Sequence, residues 1–171
     1  LRRRSIAVAP RAKSSIDLLS RTGVLAEKPL LIHCVRVDRD DVNRIAASGS
    51  PVAHCPVSNA KLGHGAAPLL SMLDGGIGAV IGSDSVASNN HMDMLGEARA
   101  ALLTQRAATG RHDALSAADA LHLATLGGAR ALGLDSEIGS LDVGKFADLA
   151  AFPVADHLGP VFDPVARLKV G

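Results

Sequence analysis

The sequence predicts an α/β protein built from parallel strand–helix units, and three observations carry that reading. Short apolar runs at 30–34, 52–55 and 77–83 have the length and content of buried strands. Segments of helical periodicity follow them across short connections, the signature of βα units. The runs also lead into His33, His54 and Asp84, and parallel βα folds gather functional groups at strand carboxyl ends. Pattern alone leaves two architectures open, an open doubly wound sheet or part of a barrel.

The elements follow in order. Leu30-Leu-Ile-His-Cys34 reads as the first strand, and Asp38–Ala47 as a helix with Val42, Ile45 and Ala46 on one face and Gly49 as its stop. A second strand, Val52–Cys55, ends at Pro56. Pro68 then leads a helix carrying Leu69, Leu70 and Leu73 before Gly75-Gly76. The third strand, Ile77–Ser83, runs into Asp84. A helix at about 91–108 places Leu95, Ala98 and Leu102 on one side, and Ser116 with Asp119 forms a capping pair opening a last helix through Ala131. From Ile138 onward, Gly139, Gly144, Pro153, Gly159 and Pro160 interrupt short extended pieces, which reads as a small β appendage.

Composition narrows the function classes. With 171 residues, 47% of them hydrophobic, the chain can bury one core of ordinary size. Eighteen basic and 17 acidic residues leave a net charge of +1, and Arg2-Arg3-Arg4 is the only basic run, so neither a nucleic-acid partner nor a membrane surface is expected. Aromatics are 2%, without Trp or Tyr, which argues against base stacking. No apolar stretch approaches the roughly 20 residues that span a bilayer, and no signal peptide is read in the Leu-Arg-Arg-Arg start. Cys34 and Cys55 lie inside apolar runs without a C-x-x-C spacing, as buried thiols of a cytoplasmic protein do. A homo-oligomer is compatible with all of this.

Strand alternation adds an expectation about faces. His33 and Cys34 should point opposite ways, as should His54 and Cys55, while Val80, Gly82 and Asp84 share a face. That geometry disfavours a four-ligand zinc cage from the two His-Cys pairs. Each candidate also has a structural reading: a strand-end His is commonly a hydrogen-bonded framework residue, and an Asp after a strand commonly caps a helix. His64, between Gly63 and Gly65, either lines a pocket or sits in a surface loop. His91, His112, His122 and His157 read as solvated or capping.

Three segments together go further. Leu31-Ile-His-Cys-Val35 is followed by Val52-Ala-His-Cys-Pro-Val-Ser-Asn59 with Lys61-Leu-Gly-His-Gly65, then by Ile81-Gly-Ser-Asp-Ser-Val-Ala-Ser-Asn-Asn90 with Met92-Asp-Met-Leu95. In that order and spacing they resemble the amidohydrolase superfamily, in its chlorohydrolase and nucleoside- or base-deaminase branch. Glu137-Ile-Gly-Ser-Leu-Asp-Val-Gly-Lys-Phe-Ala-Asp-Leu149 is similar to the segment that leads such enzymes from the barrel into a small β-sandwich.

The resemblance implies the C-terminal part of a (β/α)8 metallo-dependent hydrolase barrel, strands 6–8 and their helices, at 1–136, followed by a partial small β domain at 137–171. It implies one divalent metal, zinc first with iron or manganese as alternatives. Asp84 is implied as metal ligand and proton acceptor, and His33 as the strand-6 histidine that steadies the attacking oxygen. His54, Ser58, Asn59 and Asn89 would lie near a small heterocyclic substrate and water. No His-x-His and no His-x-x-Glu occurs in the sequence, so residue 1 is expected to fall after strand 5 and these residues alone to be inactive. Arg36 stands where many relatives carry a second His; it either alters substrate contacts or enters the following helix. The implied reaction is hydrolytic deamination of a purine, nucleoside, pyrimidine or triazine by metal-bound hydroxide. The alternatives are chloride displacement from a triazine-like ring and a non-catalytic half-barrel. A phosphate-binding βα enzyme fits poorly, because Gly75-Gly76 and Gly127-Gly128 follow or interrupt helices rather than opening them.

Overall fold

A computed structural model describes residues 12–151. Its centre is a three-stranded parallel sheet in the order β1 (Leu31–Ile32), β2 (Val52–His54), β3 (Ala79–Ile81), with Leu31 opposite Val52 and Val52 opposite Ala79. Consecutive parallel neighbours need a crossover. Helix α2 (Arg39–Ser48) supplies the first, and α3 (Pro56–Lys61) with α4 (Leu69–Asp74) the second. Before β1 lie α1 (Ser15–Arg21) and a 3-10 turn at Val24–Glu27. After β3 come α5 (Val86–Asn89), α6 (Met94–Thr109), α7 (Ala117–Ala124) and α8 (Leu126–Ala131).

Local chemistry sets the helix ends. Asp38 caps α2 by accepting the Asp41 N–H at 2.9 Å, and Gly49 closes it at φ 72°. Ser116 and Asp119 form the reciprocal capping box expected for α7. Asp93 caps α6 through the Leu95 N–H at 3.0 Å, so that helix begins at Met94 rather than near 91.

Two apolar clusters flank the sheet. Ile16, Leu25, Val42, Ile45 and Met72 pack with Leu31 and Val52 on one side. On the other, Ala98, Ala101 and Leu102 of α6 and Ala120 and Leu123 of α7 pack against Ala79 and Ile81. All three residues of β2 are buried, as a central strand covered on both faces requires.

Several expectations are corrected. The first strand stops at Ile32 because His33 and Cys34 both take left-handed backbone, φ 69° and 45°, so alternation does not decide where they point. The third strand is likewise shorter than 77–83, and Asp84, at φ 61°, lies beyond the reach of alternation. The helix expected through Ala131 breaks at Thr125. A Cβ on Gly127 would lie 3.0 Å from the Ala79 carbonyl oxygen, so a glycine there lets α8 pass close to β3. Helices α1, α3 and α5 escaped the sequence reading. Residues 137–151 contain turns and no strand, tied by the Phe146 N–H to the Glu137 carbonyl at 2.8 Å; the rest of the expected β domain, 152–171, lies outside the described residues. No helix among the described residues is long and apolar enough to cross a membrane.

Candidate functional site

The carboxyl ends of the strands meet around Asp84, three residues past β3. A left-handed non-glycine residue costs about 1–3 kcal/mol and persists where its surroundings over-determine it. Here they do. Oδ2 accepts the Ser58 hydroxyl at 2.6 Å and the Ser88 hydroxyl at 2.9 Å, and Oδ1 accepts the Ser85 N–H at 2.7 Å. These donors, Ser58 first, then Ser85 and Ser88, hold its pKa down to about 2, so Asp84 is a carboxylate at any ordinary pH. A carboxylate has about four acceptor positions. Protein donors fill three, and the side chain keeps 26% of its surface open.

His33 faces this group, its Nε2 3.9 Å from Asp84 Oδ2. Its own N–H donates to the Ala53 carbonyl at 2.8 Å and the Cys34 N–H turns back to Ile32 at 2.9 Å, a tight turn that lifts the imidazole off the strand line. Nδ1 is buried without a partner. A cavity of about 530 Å³ opens beside His33, with Arg36, Asp41 and His64 among its walls. His64, exposed in the loop after α3, lines this cavity, so both of its sequence readings hold.

His54, the last residue of β2, is 1% exposed, and neither ring nitrogen has a hydrogen bond. Burial, with the His33 imidazole adding to it, lowers its pKa to about 4, so the ring is neutral at pH 7. Asn59 on α3 is as deeply buried, and both its Oδ1 and its Nδ2 lack partners. Buried polar atoms are nearly always paired, so orphans this close together in sequence mark a place where water or a ligand completes the set. Asn89 differs. Its Nδ2 donates to the Ser83 carbonyl at 2.6 Å and to Glu97, so both amide hydrogens are engaged inside the protein.

Asp84, Ser58 and His33 are thus brought together, His54 lies within electrostatic reach of His33, and Asn89 is turned inward. Ser85, Ser88 and Glu97 were not anticipated. Glu97 had a readable signal: positions 97, 98, 101, 102 and 105 form the buried face of α6, and Glu97 and Gln105 are its only polar members. Both cysteine thiols are pushed up to about 11 by burial, and Cys55 Sγ lies 3.3 Å from where a Gly82 side chain would begin. They stay protonated, which makes them poor metal ligands.

Among the described residues no three His, Cys, Asp or Glu side chains are grouped to hold a metal ion. Asp84 suits a divalent cation as one hard-oxygen donor, but this donor set does not by itself complete a zinc shell of four.

Known proteins place the geometry in context. The model of the amidohydrolase family matches residues 10–166. The 5-methylthioadenosine/S-adenosylhomocysteine deaminase of Moorella thermoacetica is 42% identical over 154 residues, covering 90% of this chain and 36% of the relative. A zinc-bound adenosine deaminase structure from Xanthomonas campestris superposes with a TM-score of 0.84 at 36% identity, over 90% of this chain and 35% of that one. The zinc complex of atrazine chlorohydrolase from Arthrobacter aurescens TC1 gives 0.77 at 31%, over 89% and 34%. The chain therefore spans about a third of the length of the curated relatives it matches. With nearly all of its length matched and the carboxylate, the two strand-end histidines and the parallel sheet arranged as described, the chain belongs to the amidohydrolase family.

Proposed function

We propose that this chain forms one side of the active site of a hydrolase that removes the exocyclic amino group of a nitrogen heterocycle, with adenosine-type nucleosides as the first substrate class. The observation that carries the reading is the Asp84–His33 pair, a permanently ionised carboxylate 3.9 Å from an imidazole at neighbouring strand ends. The similarity to deaminases of adenosine derivatives supports the substrate class. In this reading β1, β2 and β3 are strands 6, 7 and 8 of an eight-stranded barrel within 1–136, and 137–171 leads into a second unit.

A divalent metal, zinc in the first place, supplies Lewis acidity toward water when bound, and Asp84 is the side chain that would hold it here. The chain's own residues do the rest. Asp84, ionised at neutral pH and held in one direction by its three donors, is placed to accept the proton of the attacking water. His33 presents Nε2 to the oxygen and steadies charge as it develops. His54, neutral, and Asn59 offer unfilled donors and acceptors to the substrate or to its ordered water, and Ser58 keeps the carboxylate aimed.

The test is ammonia release by the whole protein from adenosine, 5-methylthioadenosine, S-adenosylhomocysteine, guanine and a chlorinated triazine. Release from the adenosine series, lost on Asp84→Asn, is the expected result. Chloride release instead of ammonia would move the protein to the chlorohydrolase class, which the atrazine chlorohydrolase likeness makes the second reading. Neither product from any member would overturn the proposal.

A further inference from the structure

We infer that Glu97 is a positioning residue of this site: its single buried carboxylate clamps the loop carrying Asp84 to the helix carrying Ser58. The inference rests on the role proposed above for Asp84. Glu97 is 1% exposed on α6, away from the strand ends in sequence. One oxygen accepts Asn89 Nδ2, and that same amide nitrogen holds the Ser83 carbonyl at 2.6 Å, the peptide group that leads directly into left-handed Asp84. The other oxygen accepts the Val57 N–H at 3.2 Å, at the start of α3 and one residue before Ser58, whose hydroxyl meets Asp84 at 2.6 Å.

A closed circuit results: Asp84, Ser58, Val57, Glu97, Asn89, Ser83 and back to Asp84. Two of the arms that aim the Asp84 carboxylate, beside its Ser85 and Ser88 donors, end on one side chain. A carboxylate is the right group at that point, because both partners are N–H donors and it only accepts. A glutamine of nearly equal volume cannot serve, since whichever way its amide is turned an NH2 meets one of the two donors. Burying an ionisable group against an apolar helix face is unfavourable, and burial does push Glu97 upward despite the opposing Val57 and Asn89 donors. A purely structural position on α6 would be met more simply by an apolar residue. An exposed tie, Lys61 Nζ to Asn90 Oδ1 at 2.6 Å, links the same two elements independently and should keep them assembled when the clamp is cut.

The experiment uses the whole protein with Glu97→Gln, Asn89→Ala and the double variant. Loss of aim by a fraction of an ångström costs turnover rather than affinity. The expected result is a kcat about tenfold lower or more in each single variant, with KM within about threefold, and a double variant no worse than the poorer single, because both act through one circuit. Hydrogen exchange gives the readout that does not depend on turnover: amides in 56–60 and 83–90 exchange faster while those in 117–124 do not change. Should Glu97→Gln fail to fold, Asn89→Ala carries the same test from the other arm. Unchanged kcat, multiplying losses in the double variant, or faster exchange spread evenly into 117–124 would each overturn the inference. If the unsubstituted protein releases neither ammonia nor chloride, the functional reading falls, and the exchange pattern alone decides whether the clamp exists.

Discussion

At the end of β3 both oxygens of Asp84 have protein partners, whereas at the end of β2 the ring nitrogens of His54 and both amide atoms of Asn59 have none. The two regions are joined by adjacent strands and share the same end of the sheet. The difference teaches how the work is divided. In the proposed reading, a group that must keep one charge and one direction is surrounded by fixed donors. A group whose partner is a substrate or water has, in the same reading, no protein partner fixed in advance.

The comparison can be broken most decisively at Asp84. Replacement by Asn removes the charge while keeping the shape, and kcat for ammonia release should fall by roughly 10³-fold or more. A fall of less than tenfold would mean that the three serine donors hold a loop and not a reacting group.

The open region gives the next largest effect, in stability. An unfolded His54 takes a proton below about 6.5, but the folded one not until about 4. Between those values the unfolded state binds more protons, so stability falls as pH drops through that window, by an amount on the order of 3 kcal/mol. Urea unfolding from pH 7 to 4 should show this slope, and His54→Leu should flatten it. The same variant should lose substrate affinity if the ring nitrogens meet substrate, which a KM measurement reads separately.

Ser58→Ala sharpens the contrast from the satisfied side. It removes the donor that lowers the Asp84 pKa most. The expected cost is about tenfold in kcat, with the Ser85 and Ser88 bonds limiting it. The smallest effect concerns metal. Since the described residues group no three ligands, the 171-residue chain by itself should retain well under one equivalent of zinc after dialysis against a weak chelator, and Asp84→Asn should change that little. Stoichiometric retention would show that the donor set is fuller than the geometry described here.

Much of the framework was legible from residue order. Three apolar runs with intervening helical periodicity gave three parallel strands, because short crossovers leave few other ways to pair them, and the Ser116–Asp119 pair gave a capping box, which depends on residues three apart. Strand length was less legible. His33, Cys34 and Asp84 turn into left-handed backbone, which no period-two pattern announces for non-glycine residues. Asn89 looked like a group at the mouth because it follows Asp84 closely, yet its amide is engaged inward.

By itself, then, the sequence settled the α/β class and which strand ends bear polar residues, since these follow from periodicity, and its motifs in fixed order carried the resemblance to the family that the family model bears out. Only the tertiary structure decided which of those residues meet. The pairing of Ser58 with Asp84 across 26 positions, and of Val57 with Glu97 across 40, depends on how α3, α6 and the β3 loop pack, and at such separations the chain is long enough to place the two residues together or far apart.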